Sequence, residues 1–312
     1  LIKMGVQSVA EQLAMRADST RSRIGAMSAS APSAPVEAAP EGAPGPHIAG
    51  QELQGWITAY GTWGSKDPAD GFKGYDADIS GFMIGADASV AEGVLVGIAG
   101  GSGNGTADQT GAASTDTKTI YAAAYASTGT KDWFADASLI YGGSSVDSAL
   151  GSAFDTKAEY DAQNVALYFG GGKEIITKYM IYTPQASLLG NYYSQDGYTE
   201  KSSNAVGREV DGFDTFYLQS SLGGSMAYYT SLGNVTIKPE VRAFWLHEWN
   251  AKEEDLGYRL NGSANNYLIS LQAPEEDILK LGIGASAKLG QYLELRADLD
   301  TRFAKDYSDY TL

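Results

Sequence analysis

The chain has no cysteine and only two histidines, His47 and His247. The first absence excludes disulfide scaffolds, thiol nucleophiles and cysteine–zinc sites, and it suits a protein that crosses an oxidising compartment. Two histidines so far apart in sequence make no transition-metal set. Lysine and arginine together number 22 against 38 acids, a formal net charge of −16. That leaves no basic face for the phosphates of a nucleic acid. The glycine run 100–105 lacks dinucleotide spacing and precedes no helix, so no cofactor is expected from it. Asp76 and Asp78 are two acids, too few for a calcium site. No run of 18 or more apolar residues occurs, which excludes a transmembrane helix. No charged head precedes an apolar stretch, so no secretory signal is present, and the numbering reads as starting inside a longer precursor. A chain without membrane helices can still span a bilayer as a closed β-barrel, which hides its apolar face by alternation.

What is present is unevenly distributed. Residues 1–28 carry a helical pattern, with Ile2, Val6, Val9, Leu13 and Ile24 near one face and Lys3, Glu11, Arg16, Asp18, Arg21 and Arg23 elsewhere. A helix of about 24 residues is roughly 36 Å long, enough to cross a bilayer-deep channel; the same pattern equally suits a surface helix or a coiled-coil end. Residues 29–50 hold Pro32, Pro35, Pro40, Pro44 and Pro46 among many alanines, the composition of an extended linker.

From Gln51 onward the period changes to two. Leu293, Leu295, Ala297, Leu299 and Phe303 oppose Glu294, Arg296, Asp298, Asp300 and Arg302; Val235, Ile237, Val241, Ala243 and Trp245 oppose Thr236, Lys238, Glu240 and Arg242. A soluble sandwich alternates too, but its strands run about five or six residues. These segments are longer, and glycine studs their polar faces. Strands are expected near 53–63, 76–90, 93–102, 117–128, 132–142, 159–171, 176–192, 213–229, 234–249, 277–289 and 292–303. The connections alternate between long polar loops, such as 103–116, 194–212 and 250–276, and tight turns at 91–92, 130–131, 173–174, 231–232 and 290–291. Outer-membrane barrels are built that way, on an even number of strands. Residues 307–312 read as the opening of a twelfth strand in a chain that stops short, with 267–271 the other place for a missed strand.

At this point particular residues resemble a family. The stretch from Tyr75 to Asp87, Tyr-Asp-Ala-Asp-Ile-Ser-Gly-Phe-Met-Ile-Gly-Ala-Asp, is similar to the second strand of the translocator domain of monomeric autotransporters. Val94–Gly101 resembles its third strand and Pro184-Gln185-Ala186 its mid-barrel pattern. Lys238-Pro239-Glu240-Val241, closing on Trp245-Leu246-His247-Glu248-Trp249, resembles its proline-to-His-Glu-aromatic strand, and Gly282-Ile283-Gly284-Ala285-Ser286-Ala287 its Gly-x-Gly strand. The helix, the Pro/Ala linker and the first strand with Trp56 keep the family's order. The family's terminal aromatic is replaced by Tyr310-Thr311-Leu312.

The resemblance implies an all-β fold, a 12-stranded antiparallel transmembrane β-barrel with an N-terminal α-helix inside the pore. It divides the chain into a pore-spanning helix (1–28), a linker (29–50) and a barrel (51–312) whose final strand is incomplete. It implies an outer-membrane translocator that anchors and assists export of an upstream passenger domain, embedded in outer-membrane lipid and served by the barrel-assembly machinery and periplasmic chaperones. It also implies a monomer with no nucleic-acid partner. Arg16, Arg21 and Arg23 of the helix are expected to face lumenal Asp87, Asp136, Glu240, Asp298 and Asp300, in a channel narrow enough to desolvate such pairs in part; charges hydrated by pore water are the equal alternative. Some family members cleave their passenger with a helix asparagine; residues 1–50 contain none. No enzyme is expected, since His47 lies in the linker and nothing is seen to orient His247 as a triad member. Trp56, Trp63, Trp133, Trp245 and Trp249 are expected in aromatic girdles. A diffusion porin and a soluble secreted β-protein that binds a ligand through its loops are the rival readings. The porin predicts open conduction with the helix in place, and the soluble protein predicts apolar faces packed on each other.

Overall fold

The computed structural model describes residues 2–28, 47–48, 51–69, 71–109, 113–130, 132–150, 156–177, 180–203, 206–232, 235–289 and 293–312. Helix α1 (Ile2–Ser28) is followed by twelve long antiparallel strands: β1 (Gln51–Lys66), β2 (Tyr75–Ala91), β3 (Val94–Gln109), β4 (Ala113–Gly129), β5 (Trp133–Leu150) and β6 (Thr156–Lys173), then β7 (Ile181–Gln195), β8 (Phe213–Ala227), β9 (Val235–Glu248), β10 (Asp277–Leu289), β11 (Leu293–Phe303) and β12 (Tyr307–Thr311). Each pairs with the next, and β12 pairs with β1 from Thr62↔Thr311 to Lys66↔Tyr307, so the sheet closes on itself. Closure removes every free edge along those pairs, the condition for strands to sit in hydrocarbon.

The two faces of the wall are inverted relative to a soluble protein. In β4 the residues Thr117, Thr119, Tyr121, Ala123, Tyr125 and Ser127 are buried, and every residue between them is exposed. Ile57, Ile98, Ile120 and Leu222 stand outward, with Ile120 72% exposed. Asp87, Asn164, Lys238, Glu248, Asp300 and Arg302 are buried inside. An apolar band this large is tolerated only against lipid. The outward faces do not pack on each other, which is what a soluble β-protein required.

All eleven expected strands are present; the first six run longer than their alternation, and the others match it or are slightly shorter. The expected loop 103–116 is largely strand: β3 and β4 stay in register up to Gln109↔Ala113. Residues such as Gly103, Asn104, Gly105 and Thr106 do not alternate because neither face meets lipid there, yet the backbone ladder goes on. The stretch 250–276 contains an antiparallel pair, Glu254–Leu260 with Asn266–Leu271, joined to Tyr198–Thr199 and Arg208–Val210 in a separate four-stranded sheet beyond the barrel rim. Arg208 donates to both carboxylate oxygens of Glu200 there, and this bond raises the guanidinium pKa. Residues 267–271 thus form a strand, but one of this outer sheet. The tight turn at 91–93 uses Gly93 at φ 71°, a left-handed position that favours glycine. The turn at 290–291 lies outside the described residues, as does the linker apart from His47 and Ile48, which pair with Glu52 and Gln51.

Four tryptophans face outward near strand ends: Trp63, Trp133, Trp245 and Trp249. Trp56 does not. It shares the inward phase of β1 with Gln54, Thr58 and Tyr60, and its indole donates to the Tyr125 hydroxyl at 2.7 Å.

Candidate functional site

Helix α1 runs through the barrel with its start at the long-loop end, where Lys3 meets Glu248 of β9, and Arg16 and Asp18 at the tight-turn end. Val6, Val9, Ala10, Leu13 and Ala17 fall on one face at helical spacing and are all buried. Val6, Val9, Ala10 and Leu13 pack with Tyr60, Met83, Tyr121, Tyr125, Ile140 and Ala166 of the β1–β6 wall. Gly5 permits the approach, because a Cβ there would overlap the Tyr121 hydroxyl. The lumen is therefore apolar on one side, where small and aromatic residues meet the helix, and charged on the other.

Polar contacts climb the helix. Lys3 Nζ lies 2.7 Å from Glu248 Oε2 and 4.5 Å from the centre of the Tyr217 ring. Gln7 donates to Gln219 Oε1 and accepts from Arg302 Nη1 at 2.9 Å. The Ser8 and Thr62 hydroxyls are 3.1 Å apart, and Thr58 donates to Gln12 Oε1 at 2.9 Å. Glu11 is 2.9 Å from Lys280 Nζ. Arg16 forks onto Asp87, Nε to Oδ2 at 2.8 Å and Nη2 to Oδ1 at 2.9 Å, while Tyr125 donates to Asp87 Oδ2 at 2.7 Å. Such two-point pairing fixes orientation as well as charge. Asp18 Oδ2 sits 3.3 Å from both Arg296 and Lys238.

Of the residues expected from sequence, the fold brings Arg16 to Asp87. The side chains of Arg21 and Arg23 lie outside the described residues. Asp136 accepts from Ser127 at 2.6 Å. Glu240, Asp298 and Asp300 have cationic partners among the described residues. They pair with cations of the barrel itself: Arg242 with Asp298 at 2.6 Å, Asp300 at 2.9 Å and Glu240 at 3.1 Å, Arg296 with Asp298 at 2.7 Å, and Lys280 with Asp300 at 3.4 Å. The reason is cross-strand neighbourhood. Lys280, Arg296 and Arg242 occupy the lumenal rows next to these acids on β9, β10 and β11, within reach of rigid short spans. The helix presents acids, Glu11 and Asp18, to this wall. Sequence reasoning missed that sign, although both acids stood off the apolar stripe and Lys238 and Arg242 stood on the polar face of β9.

The helix leaves space on the charged side. A cavity of about 130 Å³ lies between Glu11, Ala14 and Asp18 and the wall residues Gln185, Arg242 and Arg296. Away from the pore, His247, Glu276 and Asp277 bring one ligand atom each within 4.8 Å on the outer rim. His247 Nδ1 is 3.0 Å from Asp277 Oδ1, which also accepts the Trp245 indole N–H at 2.8 Å. Two strands thus gather a histidine and two acids that the sequence spacing kept apart.

Residues 55–300 match the family model described as the autotransporter beta-domain. No curated protein matches the sequence. Among solved structures, the translocator domain of autotransporter NalP from Neisseria meningitidis is similar, with 17% identity, a TM-score of 0.68, and coverage of 98% of this chain and 96% of that one. That coverage carries the likeness into the helix. The beta domain of the Bordetella autotransporter BrkA has 19% identity and a TM-score of 0.64, over 83% of this chain and 96% of that one. The transport unit of the autotransporter AIDA-I from Escherichia coli has 15% identity and a TM-score of 0.61, over 83% and 88%. At these identities the structures speak for the fold.

Proposed function

The chain belongs to the autotransporter β-domain family, and on that premise we propose that α1 plugs the pore of its barrel. The family places the molecule in the bacterial outer membrane as the translocator of a passenger domain. Residues 1–28 are then the pore helix, residues 29–50 the linker that returns the chain to the wall, and residues 51–312 the barrel. The barrel works as a monomer and carries no catalytic residues. It depends on the barrel-assembly machinery and periplasmic chaperones to reach the membrane.

The observation that supports the plug is the burial of Val6, Val9 and Leu13 against the wall together with ion pairs along the helix. Arg16 with Asp87 is its central contact, and Arg21 and Arg23 extend the basic stretch toward the tight-turn end. Asp136, Glu240, Asp298 and Asp300 are lumenal acids of the wall, the last three held by barrel cations, and Asp87 and Glu248 are the acids that lose helix cations once the helix is gone.

Single-channel conductance in planar bilayers tests this reading. The whole chain is expected to show a small conductance through the space beside the helix, and a variant lacking residues 1–28 a several-fold larger one. Equal, large conductances for both would favour the diffusion porin.

A further inference from the structure

Two of the buried carboxylates in the lumen, Asp87 and Glu248, take their cations from the helix. Glu248 pairs with Lys3 and Asp87 with Arg16, and both carboxylate side chains have no exposure to solvent. The other lumenal acids of the opposite wall, Glu240, Asp298 and Asp300, are matched by Arg242, Arg296 and Lys280 of the barrel. Lys3 and Arg16 are 13 residues apart, about 20 Å along a helix. Between and below them, Glu11 and Asp18 meet barrel cations, Lys280 and then Lys238 with Arg296. The helix therefore offers plus, minus, plus, minus to a wall that offers the reverse.

We propose that Asp87 and Glu248 are positioning residues that fix α1 at a single depth in the pore, as two buried anion sites spaced to take one lysine and one arginine on a helix. The pattern does not repeat at neighbouring depths. Moved one turn, roughly 5.4 Å, toward the long loops, the four wall positions face Gln7, Met15, Thr20 and Ser22. Moved one turn the other way, the lower three face Gln7, Gln12 and Ala14. A shift of three residues toward the long loops brings Arg21 to the level of Lys238 and Arg296, like charge against like. The apolar stripe favours the same depth at one point, Gly5, where a residue with a Cβ would meet the Tyr121 hydroxyl, while Val6, Ala10 and Ala17 present similar small surfaces about one or two turns apart.

The proposal rests on the helix lying in the pore, and cross-linking separates the two ideas. The chain has no cysteine, so introduced pairs report cleanly. The S8C/T62C pair reads the observed depth, since those hydroxyls are 3.1 Å apart. The Q12C/T62C pair reads a shift toward the long loops and S8C/T58C a shift the other way. With native charges, S8C/T62C is expected to dominate. In D87N/E248Q the shifted pairs are expected to gain on it by at least about tenfold, because the interactions that distinguish the depths are buried ion pairs. The helix-side variant K3Q/R16Q leaves the wall unaltered and is expected to give the same spread, and D87E to restore the single product. Unheated electrophoresis in dodecyl sulfate verifies that each variant is a closed barrel. An unchanged S8C/T62C preference in either folded double variant overturns the depth proposal alone. Failure of every pair to cross-link with native charges overturns the pore helix as well.

Discussion

Arg16 and Asp87 show what a charge pair means in this lumen. Asp87 is fully buried, accepts two bonds from Arg16 and one from Tyr125, and Tyr125 in turn accepts from Trp56. Removing the cation from such a cluster leaves a carboxylate without compensation and costs about 3–5 kcal/mol where the pair is fully desolvated. Arg16→Met is therefore expected to lower the temperature at which the unheated band on a dodecyl sulfate gel converts to the unfolded one. Arg16→Met with Asp87→Asn should recover part of that loss, and a double variant weaker than the single would deny the coupling. Gly5 gives a second test at this scale. Gly5→Ala forces its methyl onto the Tyr121 hydroxyl, an overpacking of about 1–3 kcal/mol. Tyr121→Phe removes the obstructing oxygen, so Gly5→Ala should be milder in the Tyr121→Phe background, measured by the same gel shift.

Elements differ in how plainly the sequence declares them. The strands were legible wherever one face meets lipid and the other water, as in Leu293–Phe303, because each environment demands its own residue type. Above the bilayer that contrast vanishes, so 103–116 read as a loop although its described residues are ladder up to Gln109↔Ala113. Trp56 read as a girdle residue because its type suits an interface; only the phase of β1 turns it inward to Tyr125. The helix was legible as a helix, but its partners were not. Arg16 with Asp87 is among the expected pairs because basic residues of the helix are set against lumenal acids; Glu11 with Lys280 and Asp18 with Arg296 are not, because the sequence does not say which strand each side of the helix faces. At this scale the prediction concerns which side of the helix is sealed. Space remains beside Ala14 on the charged wall. Ala14→Trp is expected to reduce the residual conductance of the whole chain, whereas Leu13→Trp, aimed into the buried face, is expected to displace the helix and raise it.

For the whole molecule, the decisive feature is the junction where the sheet closes. β12 meets β1 from Thr62↔Thr311 to Lys66↔Tyr307 and β11 from Asp300↔Thr311 to Phe303↔Ser308, and Gly61 exchanges both backbone hydrogen bonds with Leu312. Strands in hydrocarbon need every backbone group satisfied internally, so this junction is what completes the wall. What holds it is a buried polar cluster inside the barrel. Arg302 donates to Asp309 at 2.9 Å, Tyr307 also donates to Asp309, and the Thr62 and Thr311 hydroxyls are 3.0 Å apart. Ser8 of the helix touches that same Thr62, and Gln7 accepts from Arg302, so the plug braces the seam it lies beside. Local opening follows the least-protected segment. Hydrogen exchange in detergent reads how firmly the helix holds this junction. Deleting residues 1–28 should speed exchange at Thr62, Arg302 and Thr311 while leaving β4 to β6 little changed. Uniform acceleration around the ring would mean that the helix supports the barrel generally and has no particular hold on its closure.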